Sequence, residues 1–411
     1  MFRTRGRKVI RDILSRRGRT ALVAISIMIG VFGAVTLISA NDLVIKQLED
    51  DINPDEIAML RLFVTVPSAG TNVRTDEGED QILNLVRTKK DTDVSLPGIA
   101  GVTRIEGQVI APVFWQRAGS EERFREADMM AFSEPFGDIT LEPMRLVDGN
   151  WPQPGSHEIA LERRMADEYD LAVGDQIQFR PLGEDTGTSE IWTVTAIAFH
   201  PYWVDTGDQN EPERRIYANF DDAQHVAGFT GYSSYYLRYI DTGTAEDEAE
   251  ALTRTIAEET NYIPESYWLD NPDDYFLIGE VKEVTNILNM LAVVALVVSG
   301  FLVTNVINTI VVEQKRQIGV MKSLGATRWD NFVIYAGVAL LYGIIGTIPG
   351  VILGAIVGSQ MAIAVAPLAA TLIEGFHVSA TGVIIGAAMG LLVPGIAALL
   401  PVFNGTRVTI M

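Results

Sequence analysis

Four histidines, His157, His200, His225 and His377, and no cysteine make up this chain's stock of soft metal ligands. Their separations match no metal-ligand spacing, and without thiols the zinc patterns have nothing to build on. No G-x-x-x-x-G-K-[ST] run is present, so the chain has no loop of that kind for the phosphates of ATP. Trp151-Pro-Gln-Pro-Gly155 would suit a ligand platform, yet an aromatic before proline reads first as turn packing. No catalytic, cofactor-binding or metal-binding residues are expected.

The chemistry that remains is docking. Residues 313–328, EQKRQIGVMKSLGATR, have room for a short helix with Ile318, Met321 and Leu324 near one face, Lys315, Arg316 and Lys322 on others, and Gly325 as its stop. Such a ridge either seats in a partner's groove or lies on a membrane surface, and pattern alone leaves both open. A second spacing concerns packing. Gly346, Gly350, Gly354 and Gly358 recur every four residues, as do Gly382, Gly386 and Gly390. At that interval they line one smooth face per helix, which permits close helix approach in lipid.

These elements are positioned by four apolar segments, 20–40, 287–312, 332–357 and 381–400, none of which carries Asp, Glu, Lys, Arg or His. A bilayer core about 30 Å thick needs about 20 apolar residues in helical form, and each run suffices. Ser299, Thr304, Asn305 and Asn308 put polar groups in the second segment, where bonding between helices is expected. The first 20 residues hold eight Lys and Arg against Asp12, and the 313–330 hairpin holds Lys315, Arg316, Lys322 and Arg328. The turn around Glu374 and His377 holds none. Both termini and the hairpin are therefore expected inside, with 41–283 outside. The first segment exceeds the usual apolar run of a signal peptide and reads as an uncleaved anchor.

Residues 41–283 carry 49 Asp and Glu against 19 Lys and Arg, a net charge of −30 where the whole chain has −21. Such a surface repels nucleic acid and anionic headgroups and favours solubility or a cationic ligand. Without disulfides this region relies on its core, and it is long enough to form one. Residues 58–67 and 102–115 read as strands, 79–90 as a helix and 235–240 as a strand. Thr244-Ala-Glu-Asp247 reads as a capping box opening a helix to about 259. Residues 149–202 alternate apolar and polar side chains between turn signals, which predicts an α/β lobe with a β-rich lobe inserted at about 117–232.

The run EQKRQIGVMKSLGAT resembles the cytoplasmic coupling segment of FtsX-like, MacB-type permeases of ABC transporters. Leu96-Pro-Gly-Ile-Ala-Gly-Val102, Gly149-Asn-Trp-Pro-Gln-Pro-Gly155, Glu158-Ile-Ala-Leu-Glu162, Val173-Gly-Asp175 and Trp192-Thr-Val-Thr-Ala-Ile197 are similar to that family's extracytoplasmic domain. The resemblance implies an α-helical membrane protein with four transmembrane helices and an extracytoplasmic α+β domain. In order these are a basic amphipathic helix (1–19), the spans 20–40, 287–312, 332–357 and 381–400, the domain 41–283 between the first two, the coupling helix 313–330 and a tail (401–411). It further implies a non-catalytic subunit of a homodimer or heterodimer, in contact with membrane lipids, an ABC ATPase subunit that binds the ATP, and an extracytoplasmic accessory protein, but no nucleic acid. Glu313, Arg316, Ile318, Gly319, Met321, Leu324 and Gly325 would form the ATPase-coupling site. The work would be mechanotransmission that exports or extracts a lipoprotein, peptide or drug. A regulator of an external cell-wall hydrolase and a membrane sensor are the alternatives. Relatives usually continue beyond the point matching Met411, so one half of a duplicated permease, or a subunit with a differing partner, is a further expectation.

Overall fold

The computed structural model describes residues 17–68, 70–90, 96–180, 190–202, 214–313, 320, 323, 327–369 and 371–405. The chain divides into two compact units, an outer one from Asp50 to Tyr275 and a helical one made of Met1–Glu49 and Phe276–Met411.

The outer unit is built on one ten-stranded sheet. Its strands are β1 (Leu60–Thr65), β2 (Val102–Arg117), β3 (Arg125–Phe132), β4 (Arg145–Gly149), β5 (Glu158–Glu162), β6 (Gln176–Phe179), β7 (Ile191–Phe199), β8 (Arg215–Tyr217), β9 (Ser234–Tyr239) and β10 (Ile263–Leu269). The order is β10-β1-β9-β2-β3-β8-β5-β7-β4, with β6 bridging β2 and β7. Pairing is antiparallel except for β3 with β8 and β5 with β7. Period-two burial fixes the register: Leu60, Leu62 and Val64 on β1 point into the core while Arg61, Phe63 and Thr65 alternate with them. Strand β2 runs for 16 residues and pairs β9 first, then β3 and β6 further along. The segment 117–232, expected as a separate lobe, thus contributes β3 to β8 to the same sheet. Its Trp192, Val194 and Ile216 share one core with Leu60, Ile105 and Leu237.

Helices α2 (Gln81–Lys89) and α5 (Thr242–Glu259) follow their expected spans closely. Their starts are set by aspartates. Asp80 accepts the amides of Ile82 and Leu83 at 3.0 and 3.1 Å, and Asp241 accepts the Thr244 amide at 2.8 Å. The cap of α5 is therefore Asp241 and not Thr244. The longer-reaching carboxylate takes both the amide and the Thr244 hydroxyl, 2.9 Å away. Within the stretch read as β-rich lies α3 (Arg163–Tyr169), which buries Met165 and Ala166 and ends at left-handed Asp170; α4 (Phe220–Ala227) precedes Gly228 in the same conformation. Gly98, at φ +86°, admits the Leu252 backbone so closely that no Cβ would fit there.

The helical unit consists of α1 (Arg17–Asp51), most of which lies in it, with α6 (Phe276–Glu313), α7 (Arg328–Val365) and α8 (Ala380–Gly405). At 1.5 Å per residue, the 35 residues of α1 and 38 of α6 give lengths of about 52 and 57 Å. Thr20–Glu56 and Ala336–Val365 are long and apolar enough to cross a membrane, and Ala380–Ile396 is a shorter apolar helix. Large apolar side chains on all four helices face outward, among them Leu22, Ile29, Phe301, Ile348, Ile384 and Leu392.

Candidate functional site

All seven glycines of the two repeats meet neighbouring helices at close range. A Cβ placed on Gly346, Gly350, Gly354 or Gly358 would lie 2.7, 2.9, 3.0 and 3.0 Å from the carbonyl oxygens of Ala24, Met28, Phe32 and Thr36 respectively. Those carbonyls are themselves four residues apart, so one row of α1 backbone fits one row of α7 glycines. On α8, Gly382 abuts Ser39, Gly386 abuts Val35, and Gly390 meets Val31 and Thr347. Both sets rise together along α1 and α7, whereas the α8 contacts run backwards. Helices α1 and α7 are therefore parallel and α8 antiparallel to them. The amino-terminal ends of α1 and α7, near Arg17 and Arg328, thus lie at one end of the unit.

Polar groups tie the other end. Asn41 Nδ2 donates to Asn289 Oδ1 at 3.2 Å and to the Thr285 carbonyl at 3.4 Å. Asp42 accepts from Ser379 Oγ at 2.7 Å and pairs with Lys46 at 2.8 Å, while Lys282 reaches Glu49 at 3.0 Å. These bonds join α1 to α6 and to the start of α8. Of the polar residues expected to bond between helices, Thr304 instead donates to its own helix, to the Gly300 carbonyl at 2.8 Å. Asn305 and Asn308 are exposed on α6. The Ser299 side chain lies outside the description. Of the coupling-site residues, Glu313 is the last residue of α6, while Arg316, Ile318, Gly319, Met321, Leu324 and Gly325 lie outside the described residues.

The outer unit gathers its buried charge near the two points where the chain enters and leaves it. Arg61 donates to Glu142 at 2.5 Å and also pairs with Asp270, and its guanidinium lies 5.4 Å from the Tyr236 ring centre. Burial works against the Arg61 charge, but Glu142 foremost keeps its pKa well above the ordinary value. Burial raises the Glu142 carboxyl, with Arg61 and the Ala58 amide opposing the shift. Around this triad, Arg145 pairs with Asp51 at 2.8 Å, Tyr202 Oη donates to Glu56 at 2.6 Å, and Tyr275 Oη donates to the Tyr202 carbonyl at 2.9 Å. Residues at both limits of the unit thus join one polar cluster. Nothing in the spacing of Arg61, Glu142 and Asp270 announces it, since the register of β1 with β10 brings Arg61 near Asp270 and the segment before β4 supplies Glu142.

The histidines are dispersed. His200 is fully buried and donates from Nε2 to the Glu142 carbonyl at 2.9 Å, which leaves Nδ1 without a proton or a partner among the described residues. Burial first, and Arg215 second, push its pKa down to about 3. His157 and His225 approach the Glu190 carboxylate at 3.9 and 3.1 Å, all three exposed. His377 belongs to the helical unit. Among the described residues no group of three or more candidate ligands could hold a metal ion. Trp151 stacks on Phe136, with centroids 5.1 Å apart and planes 16° apart, as turn packing requires. The same stack floors a groove of about 450 Å³, at the segment whose sequence suits a ligand platform but reads first as turn packing.

Residues 20–256 match the MacB-like periplasmic core domain, and residues 289–410 match the FtsX-like permease C-terminal family. An uncharacterised ABC transporter permease of Mycobacterium tuberculosis is 25% identical over 310 residues, 72% of this chain and 32% of that protein. The chain therefore spans about a third of that relative's length. Among solved structures, the periplasmic region of MacB from Actinobacillus actinomycetemcomitans matches at TM-score 0.33 and 11% identity, covering 58% of this chain and 97% of that one. The extracellular domain of the noncanonic ABC-type transporter YknZ from Gram-positive bacteria matches at 0.31 and 11%, covering 50% and 100%. With the first family spanning more than half of the sequence, this chain belongs to the FtsX-like, MacB-type ABC transporter permeases, membrane proteins that carry a MacB-like extracytoplasmic domain.

Proposed function

We propose that this chain is a permease subunit that couples ATP hydrolysis on a separate ATPase subunit to movements of its outer unit. It spans the membrane four times through α1, α6, α7 and α8, with both termini and residues 313–330 cytoplasmic. The observation that carries the reading is the packing of the helical unit: rows of glycines on α7 and α8 face inward against α1, while many large Leu, Ile, Val and Phe side chains face outward. That is stable in lipid, where helix association depends on close backbone approach rather than on hiding apolar side chains. It binds no cofactor itself. A second permease subunit and membrane lipids cover the outward faces, and an extracytoplasmic accessory protein is a further partner. Its movements export or extract a lipoprotein, peptide or drug.

In this reading Ile318, Met321 and Leu324 are gripped by the ATPase subunit, with Glu313, Arg316, Gly319 and Gly325 shaping the same segment. Leu324→Glu then places a charge in a desolvated contact, which costs several kcal/mol unless the charge is re-exposed. ATPase co-purification and permease-stimulated ATP hydrolysis should fall together while membrane insertion persists. Full ATPase binding by correctly inserted Leu324→Glu protein would return the segment to the alternative of a basic helix resting on the membrane.

A further inference from the structure

The outer unit's groove at Trp151 has the chemistry of a binding site, and we propose that it takes an organic cation attached to an aromatic or aliphatic body. It forms where the loop after β3, the Trp151–Pro154 segment and the start of α4 meet. Its volume of about 450 Å³ falls within the range usual for small-ligand sites. The floor is the stacked pair Phe136 and Trp151, and Phe220 adds a third aromatic ring. The rim carries Glu134, Asp138 and Asp221, and among the described residues no Lys, Arg or His lines the groove.

The pairing of π faces with carboxylates decides the ligand's charge. Aromatic faces attract cations and repel anions, and carboxylates do the same by direct charge. Glu134 is already engaged by Arg87. Asp138 and Asp221, in contrast, make no side-chain hydrogen bond or ion pair among the described residues. The unit shows the same preference nearby, where the Arg74 guanidinium sits 5.0 Å from the centre of the Phe220 ring. A region of net charge −30 also concentrates cations at its surface before any contact forms. The aromatic floor then selects, from those cations, the ones with an apolar body. The inference rests on the outer unit alone and does not depend on ATPase coupling.

The test is calorimetry on the full chain in nanodiscs of neutral lipid, with empty nanodiscs as the reference. The probes are phenethylammonium and the dipeptide Arg-Phe amide, with phenylacetate and Glu-Phe as charge-reversed controls. Both cations should give saturable heat, and neither anion should. Trp151→Ala, and separately the double variant Asp138→Asn with Asp221→Asn, should each weaken binding by about tenfold. The two aspartates are exposed, so their variant keeps the fold and reports on the site. Tighter binding of Arg-Phe amide marks a basic peptide as the natural source, and equal or tighter binding of phenethylammonium marks a small amine. Saturable binding of phenylacetate, or wild-type affinity in the aspartate variant, would overturn the proposal.

Discussion

The outer and helical units solve opposite packing problems with the same repertoire of side chains. The outer unit buries Trp115, Trp192, Tyr217, Tyr235 and Phe199 almost completely, as a sheet in water must. The helical unit turns that arrangement inside out. Its glycines take the α1 backbone and side chains at close range, and many of its large apolar side chains, among them Leu22, Phe301, Ile348 and Ile384, lie on the outside. Charge is divided in the same way. The outer unit holds a buried triad of Arg61, Glu142 and Asp270, whereas the described ion pairs of the helical unit sit beyond the apolar segments, at Asp42, Lys46, Glu49 and Lys282. The comparison teaches that each unit keeps its costly groups where its own surroundings are least hostile to them.

The largest effect should come from breaking the buried triad. Arg61→Met removes the cation between two buried carboxylates, and loss of one partner from such a set costs about 3–5 kcal/mol. Denaturant unfolding followed by tryptophan emission should show the loss. Combining Arg61→Met with Glu142→Gln and Asp270→Asn should recover much of it, because no uncompensated charge then remains. A loss below about 1 kcal/mol in the single variant would mean that water reaches the site and that the two units differ less than their burial implies.

The matching change in the helical unit is steric. Gly354→Leu must place side-chain atoms where a Cβ alone would already lie 2.7 Å from Val35 Cβ, so α1 and α7 must separate. Overpacking of this kind costs about 1–3 kcal/mol. Gly395, with nothing within 4 Å of a built Cβ, is the control. In detergent, thermal unfolding of Gly354→Leu should shift downward and that of Gly395→Leu should not. Equal behaviour of the two variants would reduce the glycine repeat to composition.

A third difference is in pH response. The His200 pKa is depressed from 6.5 to about 3 in the folded unit, so the unfolded chain binds the proton first as pH falls. Stability contributed by neutral His200 is complete above pH 6.5 and is lost progressively below it. By pH 5 the loss amounts to about 2 kcal/mol. The raised carboxyls of Glu142, Glu106 and Asp80 act in the opposite sense, since each favours the protonated folded state as pH falls. The measurement is therefore the difference between wild type and His200→Gln, whose amide nitrogen can still donate to the Glu142 carbonyl. That difference should shrink between pH 6.5 and 5; a constant difference would show that His200 stays reachable by protons in the fold.

What was legible in the sequence follows the same division. Apolar runs and four-residue glycine spacing are one-dimensional signals, and the glycines of α7 and α8 can be read without knowing what covers them. That α1 covers both rows was not read, although Ile27, Val31, Val35 and Ser39 recur there at the same four-residue interval and meet the glycines, because such a row in a uniformly apolar helix does not say which helix it faces. In the outer unit, period-two alternation located β1, β2 and β9 to within a few residues. It could not show that 117–232 continues the same sheet, since pairing β3 with β8 and β5 with β7 depends on contacts distant in the chain. The Arg61 triad was hidden for the same reason. The Trp151 turn was legible as packing, but its neighbours Phe136, Asp138 and Asp221 come together only in the fold.

The smallest effect belongs to the start of α5, where the sequence pattern and the fold differ by one turn. Thr244-Ala-Glu-Asp247 has the residue types of a capping box, yet the helix already begins at Thr242 and Asp241 supplies the cap. The Thr244 amide bond, foremost, holds the Asp241 carboxyl below its usual pKa. That depressed value makes the cap's contribution complete above the ordinary aspartate range and lost as pH falls through it. Asp241→Ala should remove the cap and fray the first turn, because the freed amides must then find water. Hydrogen exchange at the Thr244 and Ala245 amides should accelerate, while exchange at Leu252 and Ile256, buried against the sheet, should hold. Asp247→Ala, which alters the supposed box but not the observed cap, should leave all four amides unchanged. Faster exchange in Asp247→Ala than in Asp241→Ala would reverse the assignment and place the helix start where the sequence pattern had it.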